Sequence, residues 1–166
     1  MNKITRETLL FNTPLEVGLR CLILLVALEE PCDLQRLIYY DYFLVHYGDI
    51  DDNYQSLHPD TPYRSGEVLI KRKIVSRGIL LMCKKQLIDV EFNKKGIVYK
   101  TTELSNRFLS YFESKYVEKL KEYSKLVKTK FASYSDEDLR NYVSNNLERW
   151  GGEFSKEALF RGAIYE

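Results

Sequence analysis

Apolar residues recur at helical spacing in five stretches of the chain and alternate in a sixth. The first stretch opens on Thr13-Pro14-Leu15-Glu16, where Thr can cap, Pro suits the first turn and Glu meets the positive end of the helix dipole. Leu15, Leu19, Leu22, Ile23 and Val26 follow at helical spacing, and Cys21, Leu24 and Leu25 widen the arc until little polar face remains. A buried central helix to about Leu28 is predicted, closed by Glu29-Glu30-Pro31. Asp33 can cap a second helix carrying Leu34, Leu37, Ile38, Tyr42 and Val45, ended by Gly48. From Asp49 to Ser65 the chain is polar and lacks periodicity, which reads as a long loop. A third helix follows, capped by Ser65 and running through Val68, Ile74, Val75, Leu81 and Met82 to about Gln86, with Gly78 allowing close packing.

Period two replaces period 3.6 at Leu87–Phe92 and Ile97–Thr101, and Asn93-Lys94-Lys95-Gly96 between them makes a β-hairpin turn. Three helices followed directly by a hairpin is the order of a winged helix-turn-helix domain, expected over residues 11–101. Residues 102–166 read as a C-terminal helical extension. It comprises one long helix, Thr102 to about Ala132, and a last helix started by Ser135 with Asp138 three residues on. The long helix carries an apolar stripe, Leu109, Phe112, Tyr116, Leu120, Tyr123 and Val127, longer than a small domain needs. The stripe is therefore a candidate partner interface; the other reading packs it back on its own domain. The fold class is mainly α.

At 166 residues, 45% of them hydrophobic and 30% charged, the chain can bury a core without disulfides or metal. Cys21, Cys32 and Cys83 are odd in number and lack C-x-x-C spacing, so they read as buried reduced thiols of a cytoplasmic protein. The apolar run Leu19–Leu28 is interrupted by Arg20 and too short for a membrane span. Thirteen tyrosines suit half-buried surfaces, partner interfaces among them. A net charge of +1 gives no global pull on nucleic acid, which leaves only a local patch.

No phosphate-binding glycine loop and no G-x-S-x-G turn is present, so neither ATP hydrolysis nor serine chemistry is expected. Asp41, His46, Asp49, Asp51, Asp52, His58 and Asp60 are the residue types of a hydrolytic metal site, but their spacing fits no known signature. No catalytic residue, metal or cofactor is assigned. The basic residues are more informative. Lys73, Arg77 and Lys84 share one face of the third helix, with Arg72 beside them and Lys94, Lys95 and Lys100 in the hairpin. In a winged helix these two places meet DNA, so these seven are the candidate contacts of a sequence-tolerant grip on phosphates. Leu80 interrupts the stripe and Asp89 and Glu91 lie close in sequence.

Three stretches resemble a known family together: Phe11-Asn12-Thr13-Pro14-Leu15-Glu16-Val17-Gly18-Leu19-Arg20; Asp41-Tyr42 with His46-Tyr47-Gly48-Asp49; and Leu57-His58-Pro59 with Pro62, Arg64 and Glu67. Their order and spacing are similar to the middle component of bacterial ABC-three-component systems, in particular the small subunit of Lamassu-type anti-phage and anti-plasmid defence. The resemblance spans roughly Phe11 to Tyr123. It implies a non-catalytic accessory subunit, akin to the winged-helix proteins of SMC complexes. Its partners would be an SMC- or Rad50-like ATPase subunit and a nuclease-like effector subunit. The motif residues would then be structural, with Asp41, His46, Asp49, His58, Arg64 and Glu67 forming a polar network that fixes the long loop. The alternative is a stand-alone winged-helix transcriptional regulator. It would need base-reading side chains where this helix offers mainly Lys, Arg and apolar residues.

Overall fold

The structure is a computed structural model that describes residues 12–59 and 64–150, with 64–70 described as backbone only. Among these residues the chain forms six α-helices and one small antiparallel sheet. Helix α1, Pro14–Leu28, begins as expected: the Thr13 hydroxyl accepts the Glu16 amide at 3.3 Å with Pro14 in the first turn. It ends where Glu29 turns left-handed at φ 61° and its amide donates to the Leu25 carbonyl. Almost every side of α1 is covered, although Leu15 stays exposed. Strand β1 is only Cys32–Asp33, and the Asp33 carboxylate then caps α2, Leu34–Val45, through the Arg36 amide at 2.9 Å. Residues 37–45 of α2 are all buried.

Helix α2 stops at Val45 rather than at Gly48, which lies inside a 3-10 turn, Tyr47–Asp49. The following loop comes back to the helix end, where the Leu57 and His58 amides both donate to the Val45 carbonyl at 2.9 and 3.1 Å. That satisfies an end carbonyl that would otherwise have no partner. Helix α3, Arg64–Lys84, starts one residue before Ser65, which therefore sits inside its first turn. It closes with Gln86 at φ 58° and the Leu87 amide on the Met82 carbonyl, a left-handed cap of the Schellman kind.

Helices α1 and α3 meet through their backbones. A Cβ built on Gly18 would lie 2.5 Å from the Gly78 carbonyl oxygen, and one on Gly78 would lie 2.6 Å from the Gly18 nitrogen. The close approach expected of Gly78 is thus a two-glycine crossing. Strands β2, Ile88–Asn93, and β3, Gly96–Thr101, form the hairpin, paired from Ile88↔Thr101 to Asn93↔Gly96. Strand β1 adds to the other edge of β3 through Cys32↔Tyr99, giving the order β1-β3-β2.

The single long helix expected after the hairpin is two helices, α4, Glu103–Leu109, and α5, Lys115–Phe131. Ser110 turns its hydroxyl onto the Arg107 carbonyl at 2.7 Å, and the Ser114 hydroxyl accepts the Val117 amide at 3.3 Å, so local side-chain bonds compete with helix continuation and restart it. The apolar stripe is covered from within. Leu109, Leu120, Tyr123 and Val127 are buried in the core cluster and Phe112 and Tyr116 are half-buried against it. Helix α6, Asp136–Asn146, starts with the expected Ser135/Asp138 capping box. An aromatic cluster joins α5 and α6 to α2, with Phe43 and Phe131 stacked at 4.5 Å and Tyr42 5.0 Å from Trp150.

Candidate functional site

Arg20 is a guanidinium on the most apolar helix among the described residues and is fully buried. Removing such a charge from water is tolerable only if its donors are matched. Its Nε and Nη2 donate to the two oxygens of Asp41 in α2 at 2.6 and 3.0 Å, a bidentate fork with both partners sealed from solvent. Further contacts from its Nη1 and Nη2 reach Glu16 at 3.2 Å and Asn12 at 3.3 Å. From α3, the Lys71 ammonium lies 3.4 Å from Asp41 and 5.4 Å from the Tyr42 ring. His58 completes the ring of contacts. Its Nε2 is 2.9 Å from the Tyr116 hydroxyl, which donates to Glu16 at 3.1 Å. One cluster thus ties α1, α2, the loop, α3 and α5 together.

The electrostatics follow from this arrangement. Burial alone would raise the Asp41 carboxyl, but the charges of Arg20 and Lys71 outweigh it and hold it well below the carboxylate range. His58 is pushed down to about 3, first by burial and then by the same two cations, so it is neutral at pH 7. Burial lifts Glu16 above its ordinary value despite Arg20, and lifts Tyr116 as well. A neutral, 7% exposed imidazole and a sealed carboxylate give a substrate no approach, so the chemistry available to this cluster is to hold helices in register.

Of the six residues expected to fix the loop, Asp41 and His58 stand in this cluster. His46 lies beside it, its ring 6.3 Å from that of His58, and Asp49 accepts the Tyr42 hydroxyl at 2.8 Å on the next turn. Asp60 and the side chains of Arg64 and Glu67 lie outside the described residues. Sequence reasoning left Arg20, Glu16, Lys71 and Tyr116 out of the expected polar network, with Arg20 and Glu16 named only as motif residues and Tyr116 only as an interface candidate. The available signal was Arg20 itself, a lone cation in an apolar helix that needs a buried carboxylate. Among the described residues no group of three or more His, Cys, Asp or Glu side chains converges as metal ligands would.

The other candidate surface is outside. Arg72, Lys73, Arg77 and Lys84 are exposed on α3, with Leu80 exposed among them. Arg72 donates to Gln35 at 3.0 Å. Lys94 and Lys95 are exposed at the hairpin turn, whereas Lys100 is half-buried and paired with Glu91 at 2.7 Å, which leaves it a weaker candidate for phosphate. A groove beside α5 is lined by Ile23, Val26, Leu109, Lys121, Lys125 and Lys128, and Lys128 pairs there with Glu29 at 2.6 Å.

This span of helices, hairpin and buried cluster lies inside a match to one protein-family model. That model, described as ABC-three component (ABC-3C) system Middle Component 2, covers residues 10–153. The chain belongs to that family. No curated protein and no solved structure matches it. As an ABC-3C middle component it is an accessory component and has partners within a multi-component system. The buried cluster of this middle component draws on residues from Asn12 to Tyr116, all inside the matched span. No helix among its described residues is long and apolar enough to cross a membrane.

Proposed function

We propose that this middle component is a non-catalytic, cytoplasmic accessory subunit of a Lamassu-type defence complex. It bridges or regulates an SMC- or Rad50-like ATPase subunit and a nuclease-like effector subunit, and its basic face touches double-stranded DNA without sequence preference. The part from α1 to β3 works as a winged helix-turn-helix. Its element order, helix, short strand, two helices and a hairpin, with sheet order β1-β3-β2, supports this reading.

The observation that carries the proposal is the exposed face of α3. Lys73, Arg77 and Lys84 are presented to solvent on a helix whose opposite side is fixed by the Gly18–Gly78 crossing and by Val75, Ile79 and Met82 in the core. The fold itself does not use them. The experiment is to tag the protein in its native host and weigh what co-purifies by mass spectrometry. A large coiled-coil ATPase at near-stoichiometric level is the expected result. A homodimer that elutes alone and shifts one specific duplex would replace this reading with that of a stand-alone regulator.

A further inference from the structure

The hairpin carries more apolar surface than its own fold uses. In the register observed, Val90 opposes Tyr99 and Phe92 opposes Ile97, so these side chains share one face of the ribbon with Ile88. Ile88 at the base is buried and Tyr99 is half-buried. Beyond them Val90 is 41% exposed, Phe92 77% and Ile97 50%, and none of the three belongs to the core cluster. The hairpin is also held by the backbone ladder, by Asn93 accepting the Lys95 amide at 2.8 Å and by the Lys100–Glu91 pair. An apolar tip that lies outside the core cluster and stays this exposed marks a surface that something else covers.

The charge around it says what. Lys94 and Lys95 form the turn next to Phe92 and Ile97, and neither has an ion-pair partner among the described residues. The hairpin's acids, Asp89 and Glu91, alternate onto the opposite face, and Glu91 is neutralised by Lys100. A phosphate surface complements the lysines but has no apolar recess for Phe92 and Ile97. We infer that the hairpin tip docks into an apolar pocket with an acidic rim on another protein subunit of the assembly, with Phe92 as the anchoring side chain. This rests on the reading of the chain as one subunit among partners and adds the joint by which it is held.

The test uses the full chain tagged in its native host, with p-benzoylphenylalanine introduced at position 92 and the assembly irradiated before purification. The crosslink is expected in another protein subunit, at apolar residues bordered by Asp or Glu. Phe92→Ser is expected to lower recovery of that subunit at least about tenfold, as loss of an anchor does, while Phe92→Leu retains most of it. Because Phe92 is exposed, both variants keep the thermal midpoint of the unaltered chain. A crosslink to DNA or to a second copy of the chain, or full recovery of partners by Phe92→Ser, would overturn the inference and leave the subunit reading standing. If the unaltered chain carries no other subunit, the subunit reading itself fails, and the docking inference with it.

Discussion

Arg20 and Asp41 take two opposite charges wholly out of water, each matched first by the other and then by Glu16 and Lys71. Removing one member of such a buried pair typically costs about 3–5 kcal/mol. Asp41→Asn is therefore expected to lower unfolding free energy by that order in urea denaturation, with Arg20 and Lys71 both losing the Asp41 charge. His58 adds a dependence on pH. Its folded value, about 3, lies below the ordinary histidine value of 6.5, so between the two the unfolded chain binds the extra proton. Stability conferred by neutral His58 is complete above about pH 6.5 and falls as the solution is acidified, by about 1.4 kcal/mol per pH unit for one proton. Glu16, raised by burial, acts in the opposite sense, and a His58 variant shares its contribution over the acid range below about pH 6.5. Denaturation at a series of pH values should show His58→Gln with a shallower slope there than the unaltered protein. An equal slope would remove His58 from the account.

At the scale of elements, two backbone positions make opposite demands. Gly78→Ala pushes a methyl against the α1 backbone, where no side chain can swing aside, and is expected to destabilise by about 1–3 kcal/mol or more. Gln86 holds φ 58° at the end of α3, where glycine is at ease, and Gln86→Gly is expected to be neutral or to stabilise by up to about 1 kcal/mol. Thermal melts of the two variants should move in different directions. The caps at Thr13, Asp33 and Ser135 were legible in the sequence because the signal and its partner lie within three residues. The break between α4 and α5 was not. Leu109, Phe112, Tyr116 and Leu120 keep helical phase straight across it, so periodicity runs on while the chain turns. The tyrosines pointed toward interfaces, but several serve inward: Tyr116, Tyr123 and Tyr42 bury their rings wholly or in part and lend their hydroxyls to Glu16, the Gln55 carbonyl and Asp49.

For the whole molecule, what the sequence could carry was the succession of elements apart from β1 and the α4–α5 break, and the basic positions, since both depend on near neighbours. What it could not carry was assembly over distance. Arg20 and Asp41 stand 21 residues apart and Glu16 and Tyr116 stand 100 apart, and nothing local names either partner. The basic face of α3 is where the proposed DNA contact can be measured. Fluorescence anisotropy of a non-specific duplex should show affinity falling with salt, and each of Lys73→Ala and Arg77→Ala should reduce the slope of log affinity against log salt by about 0.9 without moving the melting temperature. An unchanged slope would remove that face from DNA binding.

The Gly18–Gly78 crossing has a mechanical meaning. Side chains between two helices act as springs, taking up small displacements by changing rotamer. Here the backbones touch directly, and the Arg20–Asp41–Lys71 cluster clamps α2 to the same pair. A load applied to the outer face of α3 is therefore passed to α1 and α2 as a movement of one stiff block, with little absorbed on the way.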